Sequence, residues 1–203
     1  MKKAILGICA AALAFSLAAC GGAPASGSAP ASQPASVSQP ASEPASQPAS
    51  EPASEAAEDY TAYTLQFDVP EGLAQLEELP DGVSAMFQAE DGSNLNLVIY
   101  DNDGSLASDL TQDAMVSTLE EGYSQQLGME ITLEDVAFVT GALGDVCPYY
   151  RLDYTVVVGD VSMTQTLLGI NADRAYTFTY TDMTGGWTQA FEDSIASIVP
   201  VAA

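Results

Sequence analysis

Carboxylates are the side chains of this sequence with the most capacity for chemistry, because histidine is missing altogether. The 203 residues include 28 aspartates and glutamates and three cysteines. Without histidine, the chain lacks the usual general base near neutral pH and the base of a serine or cysteine hydrolase. Two carboxylates across a cleft can still hydrolyse glycosides. With so many acidic residues, however, two carboxylates that lie close together would not identify an active site. We therefore predict no catalytic residue, no cofactor and no enzyme activity.

The segment Asp101-Asn102-Asp103-Gly104 carries the alternating oxygen side chains with which calcium-binding loops begin. Placing Gly104 at the sixth position of such a loop puts Ile99 first and Leu110 twelfth, where carboxylates are needed. We therefore predict a polar turn and no dedicated metal site. Weak calcium binding at Asp101 and Asp103 stays an alternative.

The chain begins with the three parts of a secretory signal: two lysines, an apolar run over residues 4–19, and small residues before Cys20. Its ending, Leu17-Ala18-Ala19-Cys20, resembles the lipobox of bacterial lipoproteins, in which the cysteine takes a diacylglycerol and becomes the new N-terminus. The resemblance implies that residues 1–19 are removed and that Cys20 anchors the protein at the outer, extracytoplasmic face of the cell membrane. Two acyl chains suffice for stable attachment. An ordinary secretory signal with a chance cysteine is the alternative.

Removal of this signal takes away both lysines and leaves Arg151 and Arg174 against 28 acidic residues, a net charge of −26. Such a surface repels phosphate backbones and anionic headgroups, so we predict no nucleic-acid partner and no electrostatic membrane docking. Salt bridges to nearby carboxylates are expected for both arginines, with selection of an anionic ligand as the alternative. Cys147 becomes the one free thiol, so we predict no disulfide and a small core residue there.

Residues 20–58 form a segment of alanine, proline, serine, glutamine and glutamate in which prolines recur about every four residues. Such a composition has nothing to bury and cannot offset the entropy of ordering, so we predict a disordered tether behind the lipidated Cys20. The 38 residues after Cys20 would span about 35 Å as a flexible coil, or about 120 Å as a polyproline helix.

Residues 59–203 are long enough for one domain with a hydrophobic core. Alternation of apolar and polar side chains predicts seven strands, and turn residues connect several of them as hairpins. Gly159-Asp160 has the form of a two-residue hairpin turn, and residues 141–145 predict another turn. The predicted strands are 63–69, 83–89, 95–99, 131–139, 150–158, 161–170 and 176–180.

Two amphipathic helices are predicted between and after these strands. The first is expected to start at Asp109, paired with Gln112, and to end at Gly128 in a left-handed conformation. The second is expected to start at Thr184 and to end before Pro200. The buried faces would consist of Met115, Val116, Leu119, Tyr123 and Leu127 in the first helix, and of Trp187, Ala190, Phe191, Ile195 and Ile198 in the second.

The predicted order β-β-β-α-β-β-β-β-α indicates an α+β fold, a twisted and mostly antiparallel sheet of about seven strands flanked by the two helices. The opening Phe67-Asp68-Val69-Pro70-Glu71-Gly72, the long central hairpin, the strand at 175–180 and the terminal helix with Phe191 and residues 195–198 resemble the PsbP/Mog superfamily, especially its bacterial PsbP-like lipoproteins. The similarity covers residues 63–199 and contains no catalytic motif. Members serve as photosystem subunits or bind a small GTPase, so the resemblance implies an interaction module rather than an enzyme.

We therefore predict an extracytoplasmic lipoprotein whose C-terminal part is a monomeric, non-catalytic binding module for a protein or cell-wall partner. The alternatives are a small carboxylate-dependent hydrolase of wall glycans and a protein that captures cations or small solutes. Among residues that could line a groove, Tyr149 and Tyr150 must point to opposite faces of a strand, so only one of them can be exposed. Trp187 lies on the apolar stripe of its helix and is predicted to be core.

Overall fold

Nine strands and two helices follow one another through residues 59–203, the part of the chain that this computed structural model describes. The predicted signal, the lipidated Cys20 and the tether all fall in residues 1–58, outside the described residues. Short 3₁₀ turns lie at Tyr60–Ala62 and Ala107–Asp109. The other elements are β1 (Tyr63–Gln66), β2 (Ala74–Gln75), β3 (Ala85–Gln88), β4 (Asn94–Tyr100), α1 (Gln112–Leu127), β5 (Leu133–Leu143), β6 (Cys147–Val158), β7 (Val161–Asn171), β8 (Ala175–Asp182), α2 (Thr188–Ser197) and β9 (Val199–Ala202).

Seven of these strands form one antiparallel sheet in the order β2-β3-β4-β8-β7-β6-β5. The predicted α+β class, with an antiparallel sheet and two helices, is confirmed. Sequential hairpins account for every pairing except that of β4 with β8, which joins the two halves of the sheet at its centre. Gly159, with a φ of 62°, occupies the predicted two-residue turn between β6 and β7.

The membership of the sheet differs from the prediction at one edge. The first strand, β1, lies outside the sheet and pairs with β9. The sequence does not indicate this pairing, because Pro200 predicts only the end of a helix. Proline is compatible with this position because a strand in a two-stranded ribbon has a free edge that requires no N–H donor. Within the large sheet, the unpredicted two-residue strand β2 takes the edge position.

The two helices cover opposite faces of the sheet. On one face, α2 contributes Phe191 to a core with Leu95, Phe178 and Tyr180 of β4 and β8. On the other face, α1 contributes its predicted apolar side, with Met115 and Tyr123 buried over β6 and β7. We call these the α2 side and the α1 side of the sheet.

Both helices begin at residues other than the predicted ones. Thr111, not Asp109, is the N-cap of α1, and its hydroxyl accepts a hydrogen bond from the backbone N–H of Ala114 at 3.4 Å. Asp109 instead ends a 3₁₀ turn, which lies immediately before the helix and shifts its start by two residues. The predicted end is confirmed, since Gly128 is the C-cap with a φ of 67°.

The start of α2 is held by a carboxylate from the preceding strand. Thr184 is not the N-cap, because the chain makes a further turn before Trp187 takes that position without a side-chain cap. Asp182, at the end of β8, accepts the backbone N–H groups of Thr184, Gly185 and Trp187 at 3.0, 2.7 and 2.9 Å. These bonds satisfy amide donors that would otherwise be unpaired near the helix start.

The turn predicted at residues 141–145 begins later than expected. Strand β5 continues to Leu143, and the reversal uses Gly144 and Asp145, which both have positive φ angles. Gly141 stays in the strand because it is covered by an aromatic ring from β6, described below.

Candidate functional site

Strand β5 extends the sheet past β6, where α2 still reaches Arg151. In the register of the β5–β6 hairpin, Val139 pairs with Arg151 and Gly141 pairs with Tyr149, and all four residues lie on the α2 side. Val139 is 53% exposed, the highest exposure of any large hydrophobic residue in residues 59–203. We call Val139, Gly141, Tyr149 and Arg151 the shelf. An uncovered apolar residue on an edge strand is a feature of surfaces that bind other chains.

A cleft of about 280 Å³ lies between two shelf residues, Tyr149 and Arg151, and the end of α2. Leu168 and Ile170 of β7, both almost fully buried, line it together with Ile195 of α2 and Ile198 at the C-cap of that helix. The volume lies just below the usual range for small-molecule sites, about 300–1,000 Å³. It therefore suits one large apolar side chain better than a cofactor. The remaining lining residues are Ala142, Leu143, Gly144, Tyr149 and Arg151.

A larger hollow of about 520 Å³ lies beside β1, and it is a weaker candidate. Its lining includes Gln66, Asp68 and Ser197, and the Ser197 hydroxyl already accepts the backbone N–H of Asp68 at 2.8 Å. The hollow is shallow, and the Ser197 hydroxyl also donates to the backbone oxygen of Ser194. We therefore place the candidate site at the cleft beside α2.

Arg151 lies at the border of the cleft between two carboxylates. Its Nε donates to both carboxylate oxygens of Asp153, at 3.0 and 2.9 Å, and its Nη1 donates to Glu192 Oε2 at 2.9 Å, while Nη2 pairs with Glu192 Oε1. The hydrogen bonds from Arg151 lower the pKa of Glu192 despite partial burial, and the same bonds raise the pKa of Arg151. The guanidinium is thus neutralised locally and does not offer a charge to an anionic ligand.

Arg174 is paired as well. Its Nη2 lies 3.0 Å from Asp101 Oδ1, and its Nε donates to the backbone oxygen of Tyr100. The expected salt bridges of both arginines to nearby carboxylates are confirmed. An incoming anion would have to displace a carboxylate from either arginine.

Two consecutive tyrosines of β6 each cover a glycine on a neighbouring strand. A Cβ atom on Gly141 would lie 2.9 Å from the ring of Tyr149, and one on Gly169 would lie 2.2 Å from the ring of Tyr150. Tyr149 is half-buried on the α2 side, whereas Tyr150 is buried in the α1-side core, which confirms that they point to opposite faces. Tyr149 therefore forms a wall of the cleft, and Tyr150 is structural.

Cys147 and Trp187 have structural positions. Cys147 is fully buried in the α2-side core, and burial raises the pKa of its thiol, with Asp173 adding to the shift. Its thiolate form is therefore disfavoured, as the prediction of a core residue requires. Trp187 is half-buried against Phe191, and its indole N–H donates to Asp91 at 3.0 Å.

The segment 101–104 is a turn whose oxygen atoms have protein partners. Asp103 accepts the backbone N–H and hydroxyl of Ser105, which lower the pKa of the Asp103 carboxyl. Asn102 accepts from the backbone N–H of Gly104 and the amide of Asn171. Within residues 59–203, no three cysteine or acidic side chains are grouped so that they could hold a metal ion.

The carboxyls with clearly shifted pKa values are shifted in a direction that disfavours acid catalysis. Hydrogen bonds to Thr61 and Ser105 lower the pKa values of Asp59 and Asp103. At Asp91, burial acts to raise the pKa, but hydrogen bonds from Ser93, Trp187 and Thr184 outweigh it and lower the value. The hydrogen bond from Arg151 lowers the pKa of Glu192. A glycosidase needs one carboxyl with a raised pKa to protonate the leaving group.

Sequence reasoning did not single out the residues of the cleft, apart from Tyr149 and Arg151. Val139 is simply one apolar member of a strand pattern, and its exposure depends on where α2 packs. The available signal was the position of β5 at the end of a run of hairpins, which favours an edge strand.

None of the helices in the described residues is long and apolar enough to cross a membrane.

No protein-family model matches this chain, and no curated protein matches it either. Solved structures, however, are similar to it. The solution structure of cyanobacterial PsbP (CyanoP) from Synechocystis is 17% identical, with 74% of this chain and 97% of that chain covered and a TM-score of 0.49. LpqN, involved in cell envelope biogenesis of Mycobacterium tuberculosis, is 12% identical, with 71% and 87% covered and a TM-score of 0.42.

A third structure, the protein of unknown function PA94 from Pseudomonas aeruginosa, is 12% identical, with 73% of this chain and 89% of that chain covered and a TM-score of 0.37. The solved structures to which this chain is similar thus include a PsbP protein, the kind that the sequence resemblance predicted.

Proposed function

We propose that this chain is an extracytoplasmic lipoprotein, anchored to the membrane through Cys20, whose residues 59–203 form a non-catalytic binding module. The docking site would be the cleft beside α2 together with the shelf. The observation that carries the proposal is an apolar cleft sized for one side chain, next to the most exposed apolar residue of the described part, Val139. Anchors that fill such pockets dominate the energetics of protein interfaces.

The edge of the sheet favours an extended partner segment. Strand β5 has 11 residues, and its outer side pairs with no other strand of residues 59–203. A register shift between Glu134 and Ala137, where Asp135 has a φ of 51°, interrupts the ladder near its start. Such a bulge discourages pairing there. The regular portion from Ala137 to Leu143 stays suitable for addition of a strand beside the cleft.

Charge favours a basic partner. Residues 59–203 carry 24 acidic side chains, while their two arginines are engaged in ion pairs. A second copy of this chain would bring the same excess of negative charge, which supports the expectation of a monomer. We therefore propose as occupant an extended segment of another protein with lysines or arginines around one aliphatic or aromatic anchor residue.

Binding of short peptides tests this proposal. The full chain is immobilised and offered an array of extended peptides that differ in charge and in one apolar anchor residue. We expect basic peptides with an apolar anchor to bind, less tightly at high salt. Val139→Asn should weaken this binding about tenfold or more, since it removes the exposed apolar side chain without changing the charge of the site.

Met129→Asn is the matched control, because Met129 is 48% exposed but lies after the C-cap of α1, away from the shelf. We expect it to leave binding unchanged. Equal binding of acidic and basic peptides, or equal losses in the two variants, would contradict the proposal.

The two alternative functions have direct assays. For a wall-glycan hydrolase, the protein is incubated with peptidoglycan, and we expect no new reducing ends. For cation capture, we expect no increase in melting temperature with millimolar calcium, in the wild type or in a variant in which Asp101 and Asp103 are replaced by asparagine. A positive result in either assay would replace the proposed function.

A further inference from the structure

The centre of the sheet has a polar interior on the α1 side. Asn96 pairs in register with Thr179, Asn94 pairs with Thr181, and Thr181 pairs with Gln165 on the next strand. These five side chains are uncharged, and all of them are buried. We call Asn94, Asn96, Gln165, Thr179 and Thr181 the polar layer. It lies on the opposite face of the sheet from the docking cleft, so it is independent of the proposed function.

One end of the polar layer forms a chain of hydrogen bonds with α1. The hydroxyl of Tyr123 lies 3.3 Å from that of Tyr154 and donates to Gln165 Oε1. The amide nitrogen of Gln165 then donates to the hydroxyl of Thr181 at 2.8 Å. The amide oxygen and the amide nitrogen of Gln165 therefore both have hydrogen-bond partners in the protein.

The other end of the layer lacks such partners. Asn96 is 1% exposed, yet neither its amide nitrogen nor its amide oxygen has a hydrogen-bond partner in the protein. The Asn94 amide nitrogen donates to the backbone oxygen of Gly92 at 3.0 Å, but its side-chain oxygen has no partner.

These unpaired atoms need a partner that is not part of the protein. Almost all buried polar groups in folded proteins are hydrogen-bonded to protein or to ordered water. A buried water molecule makes about three hydrogen bonds and is found where otherwise unsatisfied polar groups gather. An ion is a poor candidate, because amides and hydroxyls alone do not compensate for the loss of its hydration.

We propose that the polar layer around Asn96 is an internal binding site for small, uncharged, hydrogen-bonding molecules, with water as its resident ligand. Both amide atoms of Asn96 bind water, which links this residue to its neighbours on β4 and β8. The site extends the chain of hydrogen bonds that starts at Tyr154 across the centre of the sheet.

Nuclear magnetic resonance on the full chain tests the wild type directly. We expect cross-peaks between long-lived water and the side-chain amide protons of Asn96. The lack of such cross-peaks, with the Asn96 amide resonances assigned, would overturn the proposal.

Two asparagine-to-leucine variants provide a matched comparison. Asn96→Leu keeps the branched side-chain shape but removes the water ligands, so we expect the loss of at least one long-lived water molecule in water-relaxation measurements and a melting temperature lower by about 4 °C or more. Asn171 is the control, because its amide is bound by protein groups: the backbone N–H of Ala107 at 3.1 Å and the backbone oxygen of Ser105 at 2.9 Å.

We expect Asn171→Leu to lower the melting temperature without changing the number of long-lived water molecules. If Asn96→Leu raises the melting temperature, the amide is dry and unpaired, and the proposal is wrong. It is equally wrong if Asn96→Leu leaves the number of long-lived water molecules unchanged.

Discussion

The tyrosine pair of β6 shows at the residue scale what a strand pattern reveals and what it leaves open. Alternation correctly places Tyr149 and Tyr150 on opposite faces. It does not reveal that each ring lies on a glycine of a different neighbouring strand, because that depends on pairing between distant parts of the chain. The local pattern therefore predicts a turn at Gly141, whereas Gly141 pairs with Tyr149 within β5.

Substitution of these glycines should give unequal losses of stability. In Gly169→Ala, the new Cβ would lie 2.2 Å from the buried ring of Tyr150, which has no room to move. We expect a loss of about 2 kcal/mol or more in the free energy of unfolding, as for an overpacked core. Gly141→Ala should cost under about 1 kcal/mol, because Tyr149 is only partly buried and can turn towards solvent. Urea unfolding of both variants measures this, and equal losses would contradict the assigned ring positions.

Glu192 should contribute to stability in a pH-dependent way. Its pKa is lowered in the folded state by Arg151, from an ordinary value of 4.5. The contribution of the pair is therefore complete above pH 4.5 and is lost as the pH falls through the lower folded value. We expect Glu192→Gln to reduce the free energy of unfolding near pH 6 by under about 1 kcal/mol, since Glu192 is 44% exposed and solvent screens the pair.

The difference between wild type and Glu192→Gln is the quantity to follow, because general charge repulsion in this acidic chain also weakens at low pH. Urea unfolding at pH 6 and at steps below pH 4.5 should show this difference shrinking towards zero. A difference that grows as the pH falls would show that Arg151 does not stabilise the carboxylate.

At the scale of the elements, local patterns predicted what is local. The hairpins β3–β4 and β6–β7, the turn at Gly159 and the buried face of α1 all depend on residues close together in sequence. The ribbon of β1 with β9 joins the two ends of the described part, and no short pattern carries that information. The same holds for the cleft, which lies where α2, packed over β4 and β8, meets the β5–β6 hairpin.

The start of α1 can be tested by comparing the observed cap with the predicted one. Thr111→Ala removes the hydroxyl that accepts the backbone N–H of Ala114, and we expect a loss of about 0.5–1 kcal/mol. Asp109→Ala should change the free energy of unfolding by under about 0.5 kcal/mol, because Asp109 belongs to the preceding 3₁₀ turn. Thermal or urea unfolding distinguishes the two, and a larger loss in Asp109→Ala would restore the original prediction.

At the scale of the whole molecule, the proposed function combines an anchor, a tether and a binding domain. The anchor and tether are predictions from residues 1–58, whereas the cleft is a feature of residues 59–203. The negative charge of the chain disfavours both self-association and adsorption to anionic lipid. A lipid anchor would thus hold the protein at the membrane while the domain stays free to meet a basic partner.

Mass spectrometry of the protein from its own membrane tests the anchor. We expect a mature N-terminus at Cys20 that carries a diacylglycerol, and Cys20→Ser should release the protein from the membrane fraction. An unmodified residue 20, or a chain that retains residues 1–19, would mean that the anchor is absent.

The docking site itself is tested most directly by crosslinking in the native host. A photoreactive amino acid replaces Val139 in the full chain, and Met129 is replaced in a matched control, since both side chains are exposed and apolar. We predict that Val139 gives one discrete adduct, mapped to an extended basic segment of a partner, and that Met129 does not give it. No adduct at Val139, or the same adduct from both positions, would contradict the account.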